Sequence, residues 1–179
     1  MPQAPKAKFK HVGIFVTDLE KMQKFYQRWF GLVVTDGGMG PSGKGVFLSS
    51  DPTEHHQIVF VVGREPSAAK SVLNQLSFLV KDLPTLKAYY KMAQDEGRTI
   101  TMVKSHGNAL SIYVLDPEDN QLEIYCNTPW YVSQPVSQLM DLNKSDEEIL
   151  AQVEREVRAN PTFMMRDEWM KKVEQQMAD

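Results

Sequence analysis

Apolar positions along this chain change their spacing in a regular way, from alternation to helical periodicity and back. Residues 11–16 alternate between two faces and predict a strand. From Leu19 to Trp29 apolar side chains recur every three or four positions, which predicts an amphipathic helix that ends near Gly31. Further strands are predicted at residues 33–35, 45–50 and 57–62. The glycine-rich residues 37–43 predict a loop between two of these strands.

The same order of elements returns 64 positions further along the chain. Residues 75–83 repeat residues 11–19, and a second helix is predicted from Leu83 to a stop at Gly97. The remaining strands are predicted at residues 99–104, 110–115 and 121–125. A polar connector, residues 64–71, joins the two copies. We therefore predict an α+β fold in which two βαβββ modules, about 10–64 and 72–127, form one half-open barrel.

The pattern changes after Asn127. Residues 128–135 form an extended, proline-bounded stretch whose Trp130 and Tyr131 are candidates either for a lid or for simple packing. Two helices are predicted in the rest of this C-terminal segment (128–179), from Ser145 to about Asn160 and from 166 to 177, and they pack on the protein or on a partner chain. The pairs Thr17/Glu20 and Ser145/Glu148 have the spacing of capping boxes, which predicts where two helices begin.

Composition narrows the class of protein. The 179 residues are 42% hydrophobic with a net charge of −3, which fits a globular domain and argues against a nucleic-acid partner. No apolar run is long enough to cross a membrane, and residues 1–9 lack the apolar run of a signal peptide, so they are predicted to form an N-terminal arm. The single cysteine, Cys126, suits a reducing cytoplasm and predicts a half-buried strand thiol rather than a nucleophile.

Three polar side chains stand where a strand would normally carry apolar ones. His11 opens the first strand, and Gln75 occupies the same place in the second copy. Glu123 lies between Leu122 and Ile124, where a carboxylate needs a partner or a metal ion. A lone histidine on a strand is usually a hydrogen-bonded core residue. If the two modules pack into a single cup, however, these three side chains would converge.

Four stretches make the pattern specific. They are Lys10-His11-Val12, the His-His pair within residues 54–58, residues 73–76, and residues 113–123. Through them the chain resembles the vicinal oxygen chelate superfamily, which includes glyoxalases, bleomycin-resistance proteins and extradiol dioxygenases. It resembles most closely the small, single-domain type I extradiol ring-cleaving dioxygenases. That family separates an active-site tyrosine from a carboxylate ligand by ten residues across a DP-x-x-N turn, as Tyr113 and Glu123 are here.

The resemblance implies a metal site held by His11, Gln75 and Glu123. The family has a histidine where this chain has Gln75, and two histidines with one carboxylate leave three open positions on Fe(II). An amide oxygen is a weaker ligand than imidazole. Three interpretations therefore stay open: Gln75 is a working iron ligand, the site prefers another metal such as Mn(II), Zn(II) or Ni(II), or ring-cleaving activity has been lost.

The resemblance also implies three catalytic residues. His56, the second of the histidine pair, matches the acid–base residue, and Tyr113 matches the residue that hydrogen-bonds the substrate oxygen. His106 matches a histidine that contacts substrate, and His55 has no matching role. Because alternation points His56 away from the face that Val59 shares, a bend near Gln57 is predicted.

These features lead to one expected function and two alternatives. We expect an Fe(II)-dependent dioxygenase that cleaves a small catecholic ring with O2 and assembles as a homo-oligomer. Val59, the repeat counterpart of Glu123, is apolar where glyoxalase-type members place a fourth ligand, which favours the dioxygenase. The alternatives are another metal-dependent isomerase, lyase or hydrolase of the superfamily that uses Gln75 as a ligand, and a non-catalytic small-molecule-binding module.

Overall fold

The computed structural model describes residues 7–41, 43–65 and 73–178. Most of the predicted N-terminal arm and most of the connector 64–71 lie outside the described residues. The elements of the first module are β1 (Val12–Val16), α1 (Leu19–Phe30), β2 (Val33–Gly40), β3 (Gly43–Ser49) and β4 (Ile58–Val62). Those of the second are β5 (Leu76–Leu79), α2 (Leu83–Asp95), β6 (Ile100–Ser105), β7 (Ala109–Leu115) and β8 (Gln121–Asn127). The predicted α+β class and the duplicated βαβββ order are confirmed.

The C-terminal residues add short pairings and two helices. They are β9 (Trp130–Tyr131), β10 (Gln138–Leu139), α3 (Asp146–Arg158), β11 (Met164–Met165) and α4 (Arg166–Ala178). None of the helices within the described ranges is long and apolar enough to cross a membrane. The chain divides into two compact units: the first holds the described residues up to 65 together with the turn 116–119, and the second holds the remaining residues from 73 onward.

In the first unit a four-stranded sheet has the order β1-β4-β3-β2. The outer strand β1 runs parallel to β4, while the other neighbours are antiparallel. Helix α1 buries one stripe of side chains and contacts β3 and β4. The buried stripe consists of Met22, Phe25, Tyr26 and Trp29. Because β1 and β4 are parallel, the residues that precede them lie at the same end of this sheet.

The predicted capping box at the start of α1 is wrong. Asp18, not Thr17, is the N-cap residue, and its side chain accepts a hydrogen bond from the N–H of Lys21 at 3.0 Å. The N–H groups of Thr17 and Asp18 instead donate to the carboxylate of Glu118 at 2.7–3.0 Å. A distant carboxylate therefore takes the place that the box would give to Glu20.

The predicted loop at residues 37–43 is also wrong, because the described part of this stretch is a hairpin. Strand β2 continues to Gly40 and pairs with β3, with a register shift between Val34 and Asp36. Gly43 has φ +118°, and a Cβ there would lie 2.9 Å from the carbonyl oxygen of Val62. Glycine is therefore required where this hairpin approaches β4.

In the second unit a five-stranded sheet has the order β10-β6-β7-β8-β5. Strand β8 is central to the site: Glu123 lies opposite Ser77 of β5 on one side and opposite Tyr113 of β7 on the other. The alternate residues Leu122 and Ile124 are fully buried. Helix α2 contacts β7 and β8, so one face of this sheet is an apolar core and the other carries the polar side chains.

The C-terminal segment packs within the second unit. Trp130 is 6% exposed, and the ring of Tyr131 stacks on Trp169 of α4 with centroids 5.1 Å apart. Of the two roles considered for this aromatic pair, packing is therefore the one observed. The capping box of α3 is confirmed, because Ser145 and Glu148 exchange hydrogen bonds at 3.2 and 2.9 Å.

Candidate functional site

Two of the predicted site residues, His11 and His56, lie together in the first unit. Each precedes a strand of the parallel pair, and the N–H of Val12 donates to the carbonyl oxygen of Gln57 at 3.1 Å. The imidazole rings of His11 and His56 are 4.2 Å apart between centroids and inclined by 49°. The chain bends at Gln57, as predicted, and β4 begins only at Ile58. Because β1 and β4 pair in parallel, His11 and His56, which precede them, lie side by side.

The surroundings of His56 favour its neutral form. Its Nδ1 lies 2.9 Å from Nδ1 of His55. The phenyl ring of Phe47 packs edge-to-face with the His56 ring, with centroids 5.1 Å apart. Burial lowers the pKa of His56 below its usual value, and the neighbouring His11 and His55 lower it further. A neutral imidazole that is only partly covered is able to accept a proton.

A second cluster, in the second unit, is built around the carboxylate of Glu123. Its Oε1 accepts hydrogen bonds from Ser111 Oγ at 2.9 Å and Tyr113 Oη at 2.8 Å. Its Oε2 accepts from Gln75 Nε2 at 2.7 Å and from Ser77 Oγ at 2.6 Å. The Glu123 side chain is 12% exposed. Four neutral donors therefore stabilise one largely buried negative charge.

Tyr113 extends this cluster to His106. Nε2 of His106 lies 2.9 Å from Tyr113 Oη, and Nδ1 lies 2.7 Å from the carbonyl oxygen of Val136. Because a carbonyl oxygen only accepts, Nδ1 carries a hydrogen and the ring is held with Nε2 toward Tyr113. Burial and the nearby Glu123 carboxylate raise the pKa of Tyr113, so its hydroxyl stays protonated and can donate.

The structure thus brings together four of the six predicted residues in one cluster and the other two in a second cluster. The contact partners Gln75, Glu123, Tyr113 and His106 belong to the second unit, while His11 and His56 belong to the first. That His11 joins Gln75 and Glu123 on one metal ion stays a prediction. No group of three His, Cys, Asp or Glu side chains among the described residues could hold a metal by itself, and a site that includes Gln75 is of a different composition.

Sequence reasoning missed Ser77 and Ser111. Both follow from alternation once the strands are placed: Ser77 is two positions after Gln75, and Ser111 is two positions before Tyr113, so each pair shares a face of the sheet. The signal was present, but it could be used only with the register that pairs β5 and β7 with β8.

The donor atoms of the second unit fit a hard divalent cation. Glu123 supplies an anionic carboxylate, and Gln75 carries an amide oxygen, Oε1, that receives no hydrogen bond within the described part of the chain. Because Nε2 is the amide atom that faces Glu123, this oxygen can join the carboxylate as a ligand only after the amide turns. Oxygen donors of this kind suit Mn(II) and Fe(II), and hydrogen bonds to a ligating carboxylate are usual. A metal would have to displace at least one of the four donors from Glu123.

Comparisons with known proteins identify the family. Residues 8–124 match the model of the glyoxalase/bleomycin resistance protein/dioxygenase superfamily. Comparison with curated protein sequences gives no significant match.

Several solved structures share the fold. The fosfomycin resistance protein FosX from Listeria monocytogenes, complexed with Mn(II) and sulfate, has a TM-score of 0.56 at 19% identity over 69% of this chain and 93% of its own. A glyoxylase/bleomycin resistance protein/dioxygenase domain from Frankia sp. EAN1pec has 0.56 at 18% over 69% and 100%. Lactoylglutathione lyase from Agrobacterium tumefaciens has 0.50 at 14% over 69% and 96%. The structural likeness shows the fold, and the family match shows that the chain belongs to the glyoxalase/bleomycin resistance protein/dioxygenase superfamily.

Proposed function

We propose that this protein is a metal-dependent enzyme of the extradiol ring-cleaving type, acting on a small catecholic diol with O2. The observation that supports the proposal is the line of polar contacts from Gln75 through Glu123 and Tyr113 to His106, at 2.7, 2.8 and 2.9 Å. All four residues were singled out by sequence as ligands or substrate-contacting groups. Their contact accounts for a polar row across an otherwise apolar sheet.

The proposed ligands are His11, Gln75 and Glu123, and the proposed metal is Fe(II), with Mn(II), Zn(II) and Ni(II) as alternatives. When bound, such an ion would supply open positions at which a diol and O2 react. The second unit would contribute the carboxylate charge of Glu123, held in direction by Ser111 and Ser77, and the amide oxygen of Gln75 once the amide has turned.

The other residues would bind the diol and manage its protons. Tyr113 keeps its hydroxyl hydrogen because burial raises its pKa, so it can donate to a substrate oxygen once it leaves Glu123. His106, held by the carbonyl of Val136, presents Nε2 to the same hydroxyl. His56, whose pKa is lowered by burial and by His11, would accept the proton that a diol loses on binding.

Val59 favours this function over a glyoxalase-type reaction. It is half-buried on β4, opposite Phe47 of β3 and Gly13 of β1, so its position in the first sheet carries no donor atom. Glyoxalase-type members have a fourth protein ligand at this place in the repeat. Three protein ligands leave more of the metal to a chelating diol and O2 than four would.

The decisive experiment is anaerobic reconstitution with Fe(II), followed by an oxygen-electrode assay on catechol and substituted catechols. We expect about one O2 consumed per diol, with a coloured ring-opened acid as product. His11→Ala and Glu123→Gln should abolish both iron retention and O2 uptake, while Glu174→Ala, at an exposed position of α4, should retain both. Retention of Fe(II) with no uptake on any diol, together with gain of turnover in Gln75→His, would refute the assignment.

A second candidate function is an isomerase, lyase or hydrolase that uses Gln75 as a ligand and does not consume O2. The amide ligand and the shared fold with FosX and with lactoylglutathione lyase favour it. Tight retention of Mn(II), Zn(II) or Ni(II) without O2 uptake would establish this alternative. A protein that binds no metal, and whose His11→Ala and Glu123→Ala variants bind small aromatic ligands normally, would instead be a binding module.

We also propose that the protein works in the cytoplasm as a homo-oligomer. The buried thiol of Cys126 and the lack of any second cysteine suit a reducing compartment. Light scattering coupled to size-exclusion chromatography measures the assembly directly, and a monomeric mass at micromolar concentration would contradict the second part of the proposal.

A further inference from the structure

The amide group of Gln75 has a fixed orientation. Its Nε2 lies 2.7 Å from Glu123 Oε2 and 3.0 Å from Ser77 Oγ. A carboxylate only accepts hydrogen bonds, so the Ser77 hydroxyl must spend its single hydrogen on Glu123, at 2.6 Å. Ser77 can then only accept from Gln75. Both hydrogens of the Gln75 amide are therefore used, and an exchanged amide would place an oxygen against two groups that cannot donate to it.

This orientation presents a positive group where a metal ion would be expected. Two oxygen ligands at neighbouring positions of an octahedral ion, each with a bond of about 2.1 Å, are roughly 3 Å apart. The atom of Gln75 at that distance from Glu123 is the amide nitrogen, Nε2. An amide nitrogen that carries its two hydrogens does not bind metals. The partial positive charge of its N–H is turned toward the carboxylate.

We propose that the amide N–H of Gln75 takes the place of a metal ion beside Glu123 when none is bound, and that Ser77 is the residue that holds it there. This inference rests on the proposed function for the identity of the ligands. Where the family has a histidine, this chain has an amide whose N–H donates to the carboxylate and helps to stabilise its charge when no metal is bound.

Metal binding must then compete with the amide. To offer Oε1 at ligand distance, Gln75 has to turn its amide by half a turn, which gives up the hydrogen bonds to Glu123 and Ser77. The Ser77 hydroxyl makes two hydrogen bonds in the present orientation, one accepted and one donated. After the turn its one hydrogen still serves an acceptor, but no N–H faces it. Removing this hydroxyl therefore destabilises the protein without metal more than the protein with metal bound, so the affinity for metal should rise.

The test compares Ser77→Ala with Ser77→Thr, which keeps the hydroxyl at this exposed strand position. Calorimetric titration with Zn²⁺ should show Ser77→Ala binding roughly 2- to 10-fold more tightly than wild type, the worth of about one neutral hydrogen bond. Ser77→Thr should match wild type. A merely structural role for Ser77 predicts weaker binding or no change, and either result would overturn the inference.

Nuclear magnetic resonance gives a measurement that needs no metal. The side-chain N–H signals of Gln75, identified by their loss in Gln75→Glu, should differ from those of exposed glutamines and should move toward them in Glu123→Gln. Signals at the exposed-glutamine position that ignore Glu123→Gln would overturn the inference.

If wild type binds none of Zn²⁺, Mn²⁺ and Fe²⁺, the proposed function fails, and the Gln75→Glu variant decides the inference separately. With two carboxylates and no N–H between them, the variant should melt below wild type without metal and should gain Zn²⁺ binding and thermal stability on titration. Failure of Gln75→Glu to show that pattern would reject the role given to Gln75.

Discussion

The carboxylate of Glu118 accepts a hydrogen bond from the backbone N–H of Thr17, although the two residues are 101 positions apart in the chain. The Thr17 nitrogen lies 2.8 Å from Oε1 and 3.0 Å from Oε2. The same carboxylate accepts from the N–H of Asp18 at 2.7 Å and lies 3.4 Å from the guanidinium of Arg64. Helix α1 begins at these amides, where its dipole favours a negative charge. The turn 116–119 is therefore an integral part of the first unit.

Glu118→Ala should destabilise the protein by about 1.5–3 kcal/mol, the range for a hydrogen-bonded charged group whose partners lose their acceptor. The Glu118 side chain is only 8% exposed, so water replaces it poorly. Chemical denaturation measures the loss. Glu118→Gln keeps one acceptor oxygen, so its free energy of unfolding should lie between those of Glu118→Ala and wild type. Glu174→Ala, at an exposed position of α4, should match wild type. A Glu118→Ala variant as stable as Glu174→Ala would show that the hydrogen bonds from Thr17 and Asp18 to Glu118 contribute nothing to stability.

The helices and the duplicated order were predictable because each depends on local spacing. Apolar side chains at helical intervals identified α1, α2, α3 and α4 to within a few residues, and the capping-box spacing of Ser145 and Glu148 marked the start of α3. The hairpin of β2 was not predictable from Gly37 to Gly43, because glycines that allow close strand approach look the same as glycines of a loop.

The site was predictable only in part. His11, Gln75 and Glu123 could be found as polar residues in apolar strands, but the partners of Glu123 depend on which strands pair and in what register. Gln75 and Glu123 are 48 residues apart, and no periodicity states that β5 lies beside β8. Glu118 was missed as the acceptor for the Thr17 and Asp18 N–H groups for the same reason, since local sequence pointed to Glu20.

The capping box of α3 predicts a pH-dependent contribution to stability. The hydrogen bond that the backbone N–H of Ser145 donates to the Glu148 carboxylate lowers the pKa of Glu148 below its ordinary value of 4.5. A carboxyl with a lowered pKa stabilises the folded state above its ordinary pKa, and this contribution is lost as pH falls through the lowered value. The Glu148→Gln variant should therefore have a lower free energy of unfolding than wild type at pH 7, and the two values should converge well below pH 4.5. The neighbouring Glu147→Gln, outside the box, should show a smaller difference at pH 7.

Ser145→Ala removes the other half of the same box and should cost about 1 kcal/mol at pH 7. The hydroxyl of Ser145 accepts from the N–H of Glu148 at 3.2 Å, and alanine leaves that N–H to solvent. Helical content by circular dichroism should change little, because α3 also buries Ile149, Val153 and Val157. An unchanged unfolding free energy would mean that these apolar contacts alone fix the start of the helix.

Cys126 should be nearly inert in the folded protein. Burial, and secondarily the charge of Asp82, raises the pKa of its thiol from 9.0 to about 11, and the residue is 1% exposed. A pKa about two units higher implies roughly 100-fold less thiolate at pH 8. Alkylation by iodoacetamide should therefore be at least that much slower than for a free thiol. The same protein in guanidinium chloride is the control and should react at the rate of a free thiol. Rapid modification of the native protein would contradict the buried position.

The stack of Tyr131 on Trp169 predicts how α4 is held. Only 12° separates the two ring planes, and the backbone of Arg166 donates to the carbonyl of Pro129 at 2.9 Å beside them. Trp169→Ala should release α4 and speed tryptic cleavage at the exposed Lys171 and Lys172 several-fold, because local opening limits such cleavage. Met170→Ala, at the adjacent exposed position, should be cleaved as slowly as wild type. Equal cleavage of both variants would mean that α4 is held by other contacts.

Tyr113→Phe separates turnover from metal binding. The variant removes the hydroxyl that donates to Glu123 Oε1 at 2.8 Å and that faces His106 at 2.9 Å, but Ser111 still donates to the same carboxylate oxygen. Metal affinity, measured by titration with Zn²⁺, should therefore change less than about 3-fold, since one of several hydrogen bonds to a charged group is lost in exchange for an open ligand position. If the hydroxyl steadies a substrate oxygen during ring cleavage, kcat/KM should fall by about 100-fold. Tyr125→Phe, two residues after Glu123 on β8, is the matched control and should keep full activity. A Tyr113→Phe variant that turns over like Tyr125→Phe would remove Tyr113 from the catalytic set, and one that loses metal and activity together would make it a support for Glu123 instead.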